Sequence, residues 1–128
     1  MSHIINDHHL NRICNLLADH KGTVVVGNGR AHIDKNLTPT VVLNPSLQSE
    51  LMKEEIFGPI LPVVTYRSFN EAVEIINSKE KPLVVYYFGK QNSANYKRLE
   101  FETSSGALVT NEANFHGINS FLPFGGVG

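Results

Sequence analysis

Two adjacent carboxylates stand directly before a sequence that forces the chain to turn. Glu54 and Glu55 are followed by Ile56-Phe57 and then by a Gly-Pro pair, which ends a helix because proline restricts the backbone of the residue before it. A carboxylate fixed at such a bend is able to accept hydrogen bonds from a diol such as a ribose, and the Phe57 ring is able to line a flat heterocycle. Adjacent carboxylates more often face solvent, and the spacing alone leaves both interpretations open.

The histidines and the cysteine are the other side chains with catalytic or metal-binding chemistry. His8 and His9 are adjacent, so on a helix they point about 100° apart, and His32 and His116 are distant in sequence, which favours surface histidines over a shared metal site. The one cysteine, Cys14, falls within an apolar helical stripe, a setting typical of a buried, inert thiol. We therefore expect no metal site and no catalytic role for Cys14.

Two segments near the end of the chain are candidates by position. Residues 111–120 form a polar loop after an apolar strand, and ligands of open α/β sheets bind at the carboxyl ends of the strands. Asn111 and His116 are therefore candidate site residues. The glycines of residues 125–128 lack the G-x-G-x-x-G spacing and precede no predicted helix, so a tight turn is favoured over a phosphate-binding loop.

Apolar periodicity predicts the elements that position these residues. The predicted helices are residues 2–19, 68–80 and 92–102, with a short helix or turn at 49–55. The predicted strands are residues 23–26, 38–43, 59–66, 83–88 and 107–110. Asn6 or Asp7 is the expected N-cap of the first helix, and Ser68 with Glu71 matches the capping-box spacing of the second.

The order of these elements predicts an α/β fold. Helices alternate with strands over connections short enough for crossovers, which is typical of a parallel sheet. The continuous apolar run 83–88 suits a strand buried on both faces of such a sheet, whereas Pro39 places the 38–43 strand at an edge or makes it a strand start. No linker or repeat interrupts the pattern, so we expect residues 1–128 to form one domain.

Composition excludes several classes of function. The net charge of -1 gives no basic surface for nucleic acid, and we expect no nucleic-acid partner. No apolar run approaches the roughly 20 residues that span a bilayer, and the polar N-terminus lacks a signal-peptide core. The expected location is cytoplasmic, or membrane-associated if a longer parent protein carries a C-terminal tail.

Four blocks, in the same order and at similar spacing, resemble the aldehyde dehydrogenase family. They are EEIFGP at residues 54–59, KPLVVYYF at 81–88, ETSSG at 102–106 and PFGGVG at 123–128. The ETSSG block and the IIND start at residues 4–7 resemble the class 3 and fatty-aldehyde branch. The resemblance implies an incomplete, parallel-sheet catalytic domain, of which these residues look like the later part.

The resemblance also implies roles for particular residues. Glu55 is expected to bind the nicotinamide ribose of NAD or NADP, and Phe57 to lie beside the nicotinamide. Asn111, His116 and Phe124 are the nearest matches to residues that border the substrate funnel. The family oxidises an aldehyde to a carboxylic acid through a cysteine thioester, with hydride passing to NAD(P). A parent homodimer acting on medium- or long-chain aliphatic aldehydes is the implied context.

One expected feature of the family is missing from the sequence. The nucleophilic cysteine belongs to a G-Q-x-C block, which these residues lack and which Cys14 does not match, so we expect the chain alone to be inactive. The chain is then either part of an active dehydrogenase or a non-catalytic binding or assembly module that keeps the fold. Strands 59–66 and 83–88 would lack part of their cover in an incomplete domain, which predicts self-association.

Overall fold

A computed structural model of the protein describes residues 3–31 and 35–122. The described residues fall into two compact units, with the boundary between Thr65 and Tyr66. Among the described residues, the first unit contains one α-helix and three strands, and the second contains two α-helices and two strands. Helices of 9 or 10 residues are too short to cross a membrane, and no described helix is longer.

Helix α1 spans Asp7–Leu16, which is shorter at both ends than the predicted 2–19. The helix begins there because the side chain of Asn6, in extended backbone, accepts a hydrogen bond from the His9 amide at 2.9 Å. It ends because the last turn tightens, with the Leu17 amide donating to the Cys14 carbonyl three residues back. Of the two predicted caps, Asn6 and Asp7, the structure has Asn6, and the predicted length is wrong.

The first unit contains a sheet of three strands in the order β1-β2-β3. Strand β1 is Thr23–Val26, β2 is Thr40–Leu43 and β3 is Ile60–Val63. Strands β2 and β3 are parallel as predicted, but β1 runs antiparallel to β2, so the expectation of parallel strands is wrong for β1. A parallel pair needs a crossover, and the described residues between β1 and β2 contain no helix. Gly27, at φ 72°, allows the reversal because a side chain there would collide with Pro39.

The core of this unit joins α1 to the sheet. Its buried apolar side chains are Ile13, Leu16, Leu37, Val42, Leu51 and Ile60. Leu51 comes from a 3-10 turn, Glu50–Met52, at the predicted short helix or turn. Burial of each such side chain stabilises the fold by roughly 1.5–3 kcal/mol, so this cluster fixes the turn that precedes Glu55. Strand β1 stays outside this core and is exposed along its whole length.

Helix α2 of the second unit spans Phe69–Asn77. The Ser68 hydroxyl accepts a hydrogen bond from the Glu71 amide at 3.3 Å, which confirms the predicted N-cap. The Glu71 carboxylate accepts from the amide of Arg67, one residue before the cap, rather than from Ser68 itself. The helix ends at Asn77, with Ser78 as its C-cap, before the predicted Lys-Pro break.

The second unit continues with β4 (Val84–Tyr87), α3 (Ala94–Glu102) and β5 (Ala107–Thr110). Strands β4 and β5 are parallel, in register from Val84 opposite Ala107 to Tyr87 opposite Thr110. Helix α3 starts two residues later than predicted because Ser93 caps it. The expectation that β4 is buried on both faces is wrong. All four of its residues are half-buried, because β4 belongs to a two-stranded sheet with little to cover it among the described residues.

Candidate functional site

Glu55 and Phe57 both face solvent in the irregular segment between the 3-10 turn and β3. The Glu55 carboxylate makes no hydrogen bond or ion pair with any residue that the structure describes. Phe57 is 74 % exposed, which is unusual for so large an apolar side chain. Its φ of 48° is in the left-handed region, where a bulky residue is strained. The two predicted site residues therefore present a free carboxylate and a free ring.

Ile56, between them, is held on the inner side. Its side chain packs against the core cluster, and its carbonyl accepts a hydrogen bond from Arg12 Nη2 at 2.6 Å. A charged donor makes this one of the stronger kinds of hydrogen bond in a protein. With Ile56 fixed inward, the residues on either side are directed outward. The exposure of Glu55 and Phe57 is thus a consequence of how Ile56 is anchored.

The C-terminal end of this segment, Gly58 and Pro59, is also held in place. Gly58 passes close to α1, since a Cβ at this position would lie 2.8 Å from Cδ1 of Ile13. The Pro59 carbonyl then accepts a hydrogen bond from the Thr40 amide at 2.9 Å, and β3 begins at the next residue. The sharp turn that Gly58-Pro59 predicts is therefore present, and it lies against the helix and the sheet.

Asn111, a second predicted site residue, directly follows β5 and joins the ends of the two parallel strands. Its backbone amide donates to the Tyr87 carbonyl at 2.8 Å. Its side chain accepts from the Gly89 amide at 2.8 Å and donates to the Gly89 carbonyl at 2.9 Å. A φ of 56° gives it the left-handed backbone that asparagine tolerates better than most residues. Both polar ends of the Asn111 amide are occupied by backbone.

Asn44 makes a closely similar arrangement at the end of β2. Its φ is 49°, and its amide donates to the Val63 carbonyl at 2.7 Å. Its Oδ1 accepts from the Thr65 amide at 2.8 Å and from the Thr65 hydroxyl at 3.0 Å. In the sequence, Asn44 marks only the end of the predicted strand 38–43. The available signal was an asparagine placed directly after a predicted strand. Asn44 follows residues 38–43, and Asn111 follows residues 107–110.

His116 lies in a short 3-10 turn, Phe115–Ile118, within the predicted loop. Its ring is half-buried and meets the Tyr86 ring edge to face, with centroids 5.7 Å apart. Its Nδ1 is buried and has no hydrogen-bond partner among the described residues. The Tyr86 hydroxyl in turn bonds to the side chain and the amide of Asn114. His116 and Asn111 thus belong to one loop that packs against β4.

The remaining candidates are not assembled into a site. His8 and His9 are exposed and meet only each other, edge to face at 5.6 Å. Across residues 3–31 and 35–122, no group of three or more His, Cys, Asp or Glu side chains is placed to hold a metal ion. Cys14 is half-buried against the core cluster. Phe124, the glycines of residues 125–128 and His32 lie outside the described residues.

Comparison with known proteins identifies the family. The model of the aldehyde dehydrogenase family matches residues 1–128. The chain belongs to the aldehyde dehydrogenase family. It is 44% identical to aldehyde dehydrogenase family 3 member F1 of Arabidopsis thaliana, over 100% of this chain and 27% of that protein. It is 42% identical to the mouse "aldehyde dehydrogenase, dimeric NADP-preferring", over 98% of this chain and 27% of the relative.

Solved structures of aldehyde dehydrogenases share the fold. The substrate-bound state of Staphylococcus aureus AldH superposes with a TM-score of 0.86 at 36% identity, over 98% of this chain and 27% of that one. The predicted α/β architecture of an aldehyde dehydrogenase and the predicted class 3 branch are therefore confirmed. The chain spans about a quarter of the length of the aldehyde dehydrogenases that it matches.

Proposed function

We propose that this chain is part of the catalytic domain of a NAD- or NADP-dependent enzyme that oxidises aldehydes to carboxylic acids. The observation that carries the proposal is the pair of Glu55 and Phe57, a free carboxylate and an exposed ring directed outward from one anchored segment. Membership of the family and similarity to a relative described as NADP-preferring support the choice of cofactor. Residues 1–128 then form one partial catalytic domain.

The chemistry of these two side chains fits the nicotinamide ribose. The Glu55 carboxylate is unpaired within the described residues, so its oxygens are free to accept hydrogen bonds from the ribose hydroxyls, and a charged acceptor strengthens such bonds. The Phe57 ring offers a flat apolar surface for the nicotinamide. When bound, the nicotinamide supplies the hydride acceptor. The role of Glu55 and Phe57 is to orient it.

The second part of the proposal concerns the aldehyde. We assign Asn111, His116 and Phe124 to the border of the substrate funnel. Because its amide is occupied by Gly89, Asn111 acts by holding the loop in place, whereas His116 has an unpaired Nδ1 among the described residues. An unpaired polar atom is available to a ligand that reaches it. The proposed substrate is a medium- or long-chain aliphatic aldehyde.

The nucleophile and the assembly belong to the complete enzyme. Cys14 packs against the core of the first unit, so it is not presented to a substrate, and we propose that residues 1–128 alone do not turn over an aldehyde. The nucleophilic cysteine then lies N-terminal to this segment in the parent chain. We also propose that the parent is a homodimer, in line with the word "dimeric" in the name of the mouse relative.

Titration of NADP into the isotope-labelled chain, followed by NMR, tests the cofactor site. Amide resonances of residues 55–57 should shift. Glu55→Gln should weaken the affinity about tenfold to a hundredfold, because a hydrogen bond to a charged group contributes roughly 1.5–3 kcal/mol and each 1.4 kcal/mol is a factor of ten. Glu54→Gln is the matched control, since it removes the neighbouring exposed carboxylate and should leave the affinity unchanged.

The same pair of variants in the complete enzyme links the site to turnover. Glu55→Gln should raise the KM for NADP, and Glu54→Gln should not. Equal effects of the two variants, or no response of residues 55–57 to NADP, would reject this site and favour a binding or assembly module that keeps the fold without the activity.

A further inference from the structure

Helix α1 contacts the segment that carries Glu55 and Phe57 through two consecutive residues. Arg12 donates from Nη2 to the Ile56 carbonyl at 2.6 Å, and Ile13 packs its Cδ1 against Gly58. The Arg12 bond joins residues 44 positions apart in the sequence. Helix α1 therefore contacts the segment at the residue before Phe57 and at the residue after it.

We propose that Arg12 is a positioning residue for the cofactor site, and that with Ile13 it forms a clamp that sets the orientation of Glu55 and Phe57. The inference rests on the proposed function of those two residues. Arg12 itself does not reach the cofactor in this proposal. It acts by fixing the Ile56 carbonyl, and thereby the peptide that leads into Phe57.

The backbone of Phe57 explains why a clamp is needed. A left-handed φ of 48° is disfavoured for a residue with a large side chain, and the 74 % exposed ring gains little from packing. Strained conformations persist only where the surroundings fix them on both sides. Here the bond to the carbonyl of Ile56 precedes Phe57, and the contact of Gly58 with Ile13 follows it. Without the Arg12 bond, the segment is free to relax toward ordinary backbone angles.

The second terminal nitrogen of Arg12 allows an effect on the order of residues 55–57 to be distinguished from an effect on global stability. Nη1 is buried and has no hydrogen-bond partner among the described residues. A buried unpaired donor destabilises the fold, so replacing Arg12 removes an unfavourable group along with the favourable bond to Ile56. We therefore expect Arg12→Met, which keeps the apolar stem of the side chain, to change the order of residues 55–57 more than it changes global stability.

NMR of the 128-residue chain tests the clamp without any cofactor. In the wild type, the NOE pattern and couplings of Phe57 should report a left-handed residue. Arg12→Met should abolish that signature and lower the order parameters of residues 55–57. Arg12→Lys should rescue it partly, because a lysine keeps a charged donor but not the guanidinium fork. Gly58→Ala should weaken the same signature through the contact with Ile13.

Two controls separate the clamp from other effects. Arg67→Met removes an exposed arginine whose side chain makes no hydrogen bond or ion pair with a described residue, and it should change nothing in residues 55–57. Leu16→Ala loosens the same helix and its core while keeping Arg12, and it should lower stability with the Phe57 signature intact. Persistence of the signature in Arg12→Met would overturn the proposal, as would its loss in a Leu16→Ala chain that stays folded.

Titration of NADP into these samples distinguishes failure of the clamp from failure of the cofactor site. We expect Arg12→Met to weaken the NADP affinity about threefold to tenfold, less than the loss of a direct charge-assisted hydrogen bond, because Arg12 acts only through the positions of Glu55 and Phe57. If wild type binds NADP through residues 55–57 and Arg12→Met binds equally well, the clamp is overturned and the cofactor site stands. If NADP leaves wild type unchanged, the cofactor role is overturned, and the cofactor-free comparison still decides whether Arg12 fixes Phe57.

Discussion

Asn111 and Gly89 exchange two hydrogen bonds at the carboxyl ends of β5 and β4. The Gly89 amide donates to Asn111 Oδ1 at 2.8 Å, and Asn111 Nδ2 donates to the Gly89 carbonyl at 2.9 Å. The pair ties the loop that carries His116 to the neighbouring strand. In the first unit, Asn44 accepts from the Thr65 amide in the corresponding position. Each parallel pair is therefore closed by the side chain of an asparagine with left-handed backbone.

Replacement of Asn111 by alanine should destabilise the second unit. It removes both bonds to Gly89 and places alanine at a φ of 56°, so we expect a loss of about 1–3 kcal/mol in the free energy of unfolding. Urea denaturation followed by NMR of β4 and β5 measures the loss. Asn95→Ala, on an exposed position of α3, is the control and should stay within about 0.5 kcal/mol of wild type. A loss equal to that of the control would mean that the bonds to Gly89 contribute nothing.

Replacement of Asn44 by alanine should have the same effect on the first unit. It removes the bonds from the Thr65 amide and hydroxyl, and a loss of about 1–3 kcal/mol is again expected. The hydrogen-exchange rates of the β2 and β3 amides should rise, while the rates in β4 and β5 stay unchanged. Equal acceleration in both sheets would contradict a local role for Asn44.

Substitution of Phe57 by glycine should lower the affinity for NADP without lowering the stability of the fold. Phe57→Gly relieves a left-handed φ, which costs a bulky residue roughly 1–2 kcal/mol, and glycine loses about 0.5–1 kcal/mol through the unfolded state. Because the ring is 74 % exposed, little packing is lost, and we expect unchanged or slightly higher stability by thermal denaturation. NADP affinity should fall, as it should in Phe57→Ala. A clear loss of stability in Phe57→Gly would show that the ring serves the fold.

The thiol of Cys14 should be dispensable for any chemistry of the chain. It packs against the core cluster in α1, so Cys14→Ser should cost about 1 kcal/mol of stability, the penalty for a hydroxyl in a partly apolar site. Purified residues 1–128 should produce no NADPH from NADP and octanal, measured by absorbance, with or without this substitution. NADPH production that disappears in Cys14→Ser would show that the chain contains its own nucleophile.

The exposed apolar side chains should cause self-association. Leu61 of β3 is 59% exposed, and Leu83 and Phe88, which flank β4, are 56% and 67% exposed. Exposed apolar side chains favour association, and kosmotropic salts such as sulfate strengthen it. Light scattering should therefore give a mass that rises with concentration, and Phe88→Ser with Leu83→Ser should lower it. A monomeric mass at every concentration tested would contradict the prediction.

Much of the local structure follows from short stretches of sequence. Asn6 and Ser68 mark helix starts because a capping side chain bonds an amide only three residues ahead. The limits of β5 follow from an apolar run bounded by a glycine and an asparagine. The motif at residues 54–59 identifies the family and, with it, the candidate cofactor residues. All of these signals are complete within a few neighbouring residues.

Other features required the path of the whole chain. The direction of β1 was predicted wrongly because strand propensity says nothing about which neighbour the strand pairs with. The burial of β4 was overestimated because an apolar run records what a strand is able to bury, while the elements that cover it lie elsewhere in the chain. The bonds of Asn44 to Thr65 and of Asn111 to Gly89 were not predicted, because they depend on where the neighbouring strands end.

The sequence by itself indicated the family, the helix starts at Asn6 and Ser68, and Glu55 and Phe57 as candidate cofactor residues. The tertiary structure decided how those two residues are held. The bond from Arg12 to Ile56 spans 44 positions, and no local pattern encodes it. It exists because α1 packs into the core cluster through Ile13, which brings the guanidinium within reach of the Ile56 carbonyl. Periodicity and capping act over a few residues, whereas such contacts depend on the packing of distant elements.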